Sequence, residues 1–388
     1  MLLLLSTTLV LADALNELQA DAAEVKLKGN GSGIVGVIAQ GAKQASFSTS
    51  LELDAQTPFE IGSVTKVFTS VLLSVAVEEQ KLALEDPIGV QLQSSPWMRK
   101  PSRPKTAAIT YRQLSTHHSG LGRMPPNLGT LALLLNGSDP YAKYDTKKLA
   151  KGVAKAKPNE SKMAYSNFGA GLLGQLVSDK LELDYCAAVE QKIAVPMGLT
   201  SLSCADPENL ATPHVWTGEA ISPWHFDSLV GAGGLRSNAT DLATFLQHFY
   251  DSARAPELNA VLQRTVQPHS DSTGLGWMRR DKDGVICLWH NGQTGGSSSF
   301  VGVCPELELA VVLLMNESLL EQDLTMVGIG ALKRATETLR PVKQTVPAVD
   351  PEVEAATNAF EPSESAPTQP ADLPESVLES EEVKGPNE

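Results

Sequence analysis

The sequence predicts a mixed α+β fold, an α/β sandwich with one antiparallel sheet assembled from both chain ends and a large helical insertion between them. Two observations carry this. Short β-rich apolar runs occur near the N-terminus and again from 285 to 315. Between them, apolar residues recur at helical spacing.

The elements follow in order. Residues 1–14 form an apolar stretch about as long as a signal-peptide core, and Ala12-Asp13-Ala14 is an A-x-A cleavage pattern. The n-region lacks a basic residue. The competing reading is an amphipathic helix that runs on through Leu15 and Leu18. Gly33–Ala39 reads as a buried strand, and Ala45–Leu53 as its hairpin partner. From Val64 the period changes: Val64, Val67, Phe68, Val71, Leu72 and Val75 share a helix face. Leu73 and Val77 widen that face, so the helix is expected to be central and to end near Gln80. Pro96 to Ser270 reads as helical segments broken by Pro/Gly/Asn loops, with a helix over Thr240–Tyr250. Val285–Trp289, Ser298–Cys304 and Leu307–Met315 read as strands. A closing helix carries Leu320, Leu324, Val327, Ala331, Leu332 and Ala335 on one face. A single folded domain is thus expected over 15–340, with sheet at about 30–60 and 275–335 and helices at about 61–270.

The charge is uneven. The chain carries −14, and residues 341–388 hold eleven acidic residues against Lys343 and Lys384, or −9. The remainder carries −14 − (−9) = −5. A mildly acidic body with no basic stripe argues against a nucleic-acid partner. The acidic tail, with eight of the 24 prolines, is expected to be disordered, because it cannot bury enough apolar surface to offset its ordering entropy. No apolar run is long enough to span a membrane. Export to the periplasm or beyond is the expected localisation, and the cytoplasm is the alternative. Cys287 and Cys304 are nearly symmetric about the turn at Gly295-Gly296, so an exported chain is expected to pair them first, then Cys186 with Cys204.

Three motifs carry chemistry. In Gly62-Ser63-Val64-Thr65-Lys66, one helical turn brings the Lys66 amine beside the Ser63 hydroxyl. A desolvated lysine can take the serine proton and make it a nucleophile. Backbone N–H groups at the helix start can stabilise an oxyanion. Tyr165-Ser166-Asn167 lies before an apolar helix. A phenol beside an ammonium ionises more readily and relays protons, and an asparagine can hold a substrate amide. His290-Asn291-Gly292-Gln293-Thr294-Gly295-Gly296 ends a strand whose edge can receive an extended acyl chain. Adjacent His117 and His118 show no H-E-x-x-H or cysteine-pair spacing, so they read as structural and neither metal nor cofactor is expected. Gly231-Ala232-Gly233-Gly234 lacks the context of a dinucleotide fingerprint, and the absence of G-x-S-x-G argues against an α/β-hydrolase.

The order of these motifs resembles the serine β-lactamase and penicillin-binding protein superfamily, and most closely its class C β-lactamase and D,D-carboxypeptidase/esterase branch. His290 stands where the family usually has the lysine of K-T-G. Looser matches are Pro58–Gly62, Leu84–Pro87, Tyr111–Leu121 and Gly233–Ser237 with Asp241-Leu242. The resemblance runs from about Ile34 to Leu332 and implies the β-lactamase/transpeptidase-like fold.

It also implies roles. Ser63 would be acylated, Lys66 would act as general base, and Tyr165 would be the relay or alternative base. The N–H groups of Ser63 and Gln293, beside Gly292, would form the oxyanion hole. Asn167 would bind the acyl side-chain amide. His290 would supply a donor or partial positive charge to a substrate carboxylate, in a pH-dependent way. The expected substrate is a small molecule or peptide: a D-amino-acid peptide, an ester or a β-lactam. The alternative is a catalytically inactive binding or scaffold protein.

Overall fold

The structure is a computed structural model that describes residues 2–128, 139–159, 162–270, 272–282, 284–319 and 323–339, with side chains from residue 11 onward. The tail and most of the loop from Pro125 to Asp139 lie outside the described residues, as does Leu320 of the expected closing helix.

Six strands make one antiparallel sheet: β1 (Ile34–Gln40), β2 (Lys43–Ser48), β5 (Met278–Lys282), β6 (Val285–Gln293), β7 (Ser298–Cys304) and β8 (Leu309–Met315). Their order is β2-β1-β8-β7-β6-β5, so the first strand pairs with the last. β1 and β8 are in register from Ile34↔Met315 to Gln40↔Leu309. A second, two-stranded sheet joins β3 (Phe59–Glu60) to β4 (Arg236–Ser237).

The β8 run is apolar throughout, and β7 is buried throughout, its two leading serines included, because both sheet faces are covered. Strand alternation divides their side chains between two cores. Ala310, Val312 and Leu314 face one core, while Leu309, Val311, Leu313 and Met315 face the other. The second core is closed by α1 (Leu2–Glu24), through Leu11, Leu18 and Ala22, and by α5 (Asp323–Leu339). α1 runs continuously through Ala12-Asp13-Ala14. No helix among the described residues is long and apolar enough to cross a membrane.

The first core holds α2 (Thr65–Glu78), α3 (Asn167–Leu181) and α4 (Ala239–Gln247). Residues Thr65 to Ala76 of α2 are all buried, in line with its wide apolar face. Asn238 caps α4 by accepting from the Asp241 N–H at 2.7 Å. Both cysteine pairs are bonded, Cys186–Cys204 and Cys287–Cys304, and the second joins β6 to β7.

Candidate active site

Ser63 lies in the 3-10 turn Gly62–Val64 that feeds α2, so it opens the buried helix while its own side chain stays half-exposed. One turn on, Lys66 is 2% exposed. Its Nζ lies 2.8 Å from Ser63 Oγ and 2.6 Å from the Ala232 carbonyl oxygen. The Gly231–Gly234 segment that supplies this carbonyl is tied to the same helix. Thr65 Oγ1 accepts from the Leu235 N–H at 3.1 Å, and Thr69 donates to the Gly231 carbonyl at 2.7 Å. Burial, and then the charge of Arg123, hold the Lys66 pKa well below the usual lysine value. A carbonyl only accepts, so one amine N–H is committed to Ala232. That leaves the lone pair of the neutral amine for the Ser63 hydroxyl.

Tyr165 stands immediately before α3. The helix is capped by Ser166, whose Oγ accepts from the Gly169 N–H at 2.8 Å and donates to the Gly122 carbonyl at 2.8 Å. Lys66 Nζ is 4.9 Å from the Tyr165 ring centroid. The expectation that Tyr165 ionises more readily is reversed here. Burial pushes the phenol up, and neither its interaction with Ser63 nor the charge of Arg123 offsets that. Tyr165 is therefore a neutral phenol. His117 packs against it at 4.5 Å between ring centroids, in a left-handed backbone conformation with φ 62°. His117 Nδ1 accepts from the Ser166 N–H at 3.3 Å, which orients the turn that carries Tyr165.

His290 lies on β6, 6.2 Å from the Tyr165 ring between centroids. Its expected role as a pH-dependent cation is corrected by its surroundings. The side chain is buried, and desolvation with the nearby Lys66 charge brings its pKa down to about 3. The imidazole is neutral across the ordinary pH range. Its Nδ1 is 2.7 Å from the Asn291 carbonyl, an acceptor, so Nδ1 carries the proton. Nε2 is then a bare acceptor, buried and without a partner among the described residues.

Two residues beyond His290, β6 presses on the Ser63 turn. A Cβ on Gly292 would collide with the Ile61 carbonyl and come within 2.9 Å of the Ser63 nitrogen. A Cβ on Gly62, at φ +48°, would lie 2.7 Å from the Gln293 nitrogen. The two glycines thus let the backbone N–H groups of Ser63 and Gln293 share one small space. The Gln293 side chain points outward and donates to the Leu319 carbonyl at 2.5 Å.

Asn167 opens α3, with Nδ2 3.7 Å from Met124 Sδ. Its Oδ1 is buried and unpaired among the described residues, an acceptor open to a substrate N–H. Beside it stands an aromatic wall. Tyr141 stacks on Phe226 at 4.5 Å and meets Trp224 edge-on at 5.6 Å. Glu60 anchors this rim by accepting from the Trp224 N–H at 2.8 Å and from Thr294 Oγ1 at 3.1 Å.

The structure therefore brings together Ser63, Lys66, Tyr165, Asn167, His290, Gly292 and Gln293. His117 is the structural, hydrogen-bonded histidine the sequence suggests. Sequence reasoning missed Arg123 and Glu60: an exposed arginine in a loop has no signature, and Glu60 becomes part of the site only through tertiary packing. Among the described residues no cluster has the makings of a metal site.

The comparisons with known proteins agree with this fold. A family model described as Beta-lactamase matches residues 21–329. The chain is 34% identical over 119 residues to the putative fimbrial assembly protein FimD, serogroup D, of Dichelobacter nodosus. That match covers 31% of this chain and only 28% of the relative. It is 24% identical over 296 residues to penicillin-binding protein 4 of Amycolatopsis lactamdurans, covering 69% and 74% of the two chains. In fold it is similar to the β-lactamase/D-alanine carboxypeptidase of Pseudomonas syringae, with TM-score 0.68, 19% identity and coverage of 83% and 99%. With its antiparallel sheet, its flanking helices and a family match over most of its length, the chain belongs to the beta-lactamase family.

Proposed function

We propose that the protein is a serine hydrolase that forms an acyl-enzyme on Ser63. One observation carries this reading: the buried amine of Lys66 at 2.8 Å from Ser63 Oγ, its pKa held down by burial. Lys66 takes the hydroxyl proton as Oγ attacks the substrate carbonyl. The N–H groups of Ser63 and Gln293 stabilise the oxyanion. As the intermediate collapses, the bond to the leaving group breaks. The proton passes from Lys66, through the neutral Tyr165 phenol, to the departing atom. Water then attacks the acyl carbonyl by the same route in reverse, and Ser63 regains its proton.

The names of the relatives bring β-lactams and D-alanyl peptides into consideration, and both carry a carboxylate beside the scissile bond. A neutral His290 offers that carboxylate no permanent charge, which favours esters and amides with an uncharged leaving group. The test is covalent labelling with a fluorescent penicillin and, separately, a fluorophosphonate, each against Ser63→Ala. We expect Ser63-dependent fluorophosphonate labelling and weak or absent penicillin labelling. Strong labelling by both would restore a β-lactam-recognising enzyme. Labelling by neither, from folded protein, would move the reading to a binding or scaffold protein.

A further inference from the structure

Beside Tyr165 stands a cation to which the hydrolytic steps assign no role. Arg123 lies in the loop that follows His117, with its guanidinium 5.3 Å from the Tyr165 ring centroid. The loop is fastened to the first turn of α3, because the Arg123 carbonyl accepts from the N–H groups of Asn167 at 2.9 Å and Phe168 at 3.2 Å. The side chain is exposed, and among the described residues it makes no ion pair or hydrogen bond. Arg236 and Arg264, by contrast, are each matched to a carboxylate. In a domain of net charge −5, a guanidinium without a carboxylate partner among the described residues is a local exception to a mildly acidic surface.

Its position has a direction. The Arg123 carbonyl that receives the Asn167 N–H and the guanidinium over the Tyr165 ring set the cation on the Asn167 side of the site, at the start of α3. The β6 side presents a neutral acceptor, His290 Nε2. A planar guanidinium matches a carboxylate through two parallel hydrogen bonds.

We propose that Arg123 recognises a carboxylate carried by the acyl part of the substrate, so that the preferred substrates are esters or amides of dicarboxylic acids with a neutral leaving group. This rests on the hydrolase reading above and extends it to substrate class. Mono-4-nitrophenyl adipate and 4-nitrophenyl hexanoate have acyl chains of equal length and differ in the terminal charge. The quantity to measure is the ratio of their kcat/KM values, in wild type, Arg123→Ala and Arg123→Lys. Arg123→Ala should lower the adipate-to-hexanoate ratio on the order of tenfold, the worth of one charge-assisted hydrogen-bonded pair. Arg123→Lys should recover part of it, and added salt should erode the wild-type preference. An unchanged ratio, with both substrates slowed alike, would overturn the proposal and leave Arg123 acting only through Tyr165 and Lys66. A matching loss on an ester whose leaving group bears the carboxylate, with none on the adipate ester, would overturn it as well. Should wild type hydrolyse neither ester, the labelling test above decides the hydrolase reading, and calorimetric titration of adipate still decides the role of Arg123. Binding to Ser63→Ala that vanishes in Ser63→Ala/Arg123→Ala supports it, and binding that survives, or is absent from both, overturns it.

Discussion

At the scale of single residues, the protonation of Lys66 governs the chemistry. A general base must be free of its proton, so kcat/KM should rise with pH through the Lys66 pKa and level off above it. Burial is the main cause of the depressed pKa, and Arg123 adds to it, so this acid limb should lie well below the ordinary lysine range. Arg123→Ala removes a like charge and should move the limb to higher pH. Lys66→Ala should cost about 10²–10⁴-fold in acylation, measured by the rate of fluorophosphonate labelling. His290 should contribute no break between pH 5 and 8, since its titration has been carried down to about 3. The Ser63–Lys66 pair was legible in the sequence because three residues of helix fix their proximity. The charge state of His290 was not, because it depends on neighbours that only the fold supplies.

At the scale of elements, the cleft depends on β6 lying against the Ser63 turn. Gly292→Ala should force the two apart, since its Cβ would collide with Ile61 and crowd Ser63. Overpacking of this kind costs about 1–3 kcal/mol. Acylation should fall further than that stability loss accounts for, because the oxyanion donors separate. A thermal melt and a labelling rate on the same sample check this. A second element-level device joins three loops. His225 Nδ1 is 3.0 Å from Asp139 and Nε2 is 2.9 Å from Asp206, which also pairs with Arg236. Desolvation pulls the His225 pKa down, but hydrogen bonds to the two carboxylates raise it more, and the net shift is upward. The group is largely exposed, so its contribution is screened. With a raised folded-state pKa, the stabilisation is complete below about pH 6.5 and is lost as pH rises through the folded value. The melting temperatures of wild type and His225→Gln should therefore differ at pH 6 and converge at higher pH. β7 was legible to the residue because its β-rich run is bounded by the Gly295-Gly296 turn before it and the Pro305-Glu306 turn after it. β5 was not, because Met278-Arg279-Arg280-Asp281-Lys282 is a polar edge strand. β3 and β4 have two residues each, too few for any periodicity.

At the scale of the whole molecule, the sheet joins chain ends that are distant in sequence, and α1 and α5 lock that closure from behind. Both terminal parts of the sheet were legible from composition alone, because apolar β-rich runs flank a helical middle. The β1–β8 pairing rests instead on sheet topology, which periodicity does not encode. The two disulfides do not perform the closure, since they span 18 and 17 residues and act locally. The seam at the ends depends on apolar contact, with Leu18 fully buried between the sheet and α5. Arg334 of α5 adds ion pairs to Glu17 and Asp21 of α1, but all three side chains are partly exposed and their contribution is small. Leu18→Ala should therefore cost about 2–5 kcal/mol, whereas Arg334→Ala should cost about 1 kcal/mol or less. Urea unfolding of the two variants separates these terms. The same comparison bears on residues 1–14, which the sequence reads as a signal peptide. Leu18 lies beyond the Ala14 cleavage point and Leu11 before it, so removal of 1–14 should forfeit the Leu11 contact and keep the Leu18 one. A truncated chain starting at Leu15 should then fold with a stability between those of wild type and Leu18→Ala. A truncation that costs more than Leu18→Ala would mean that the first half of α1 belongs to the folded domain rather than to a leader.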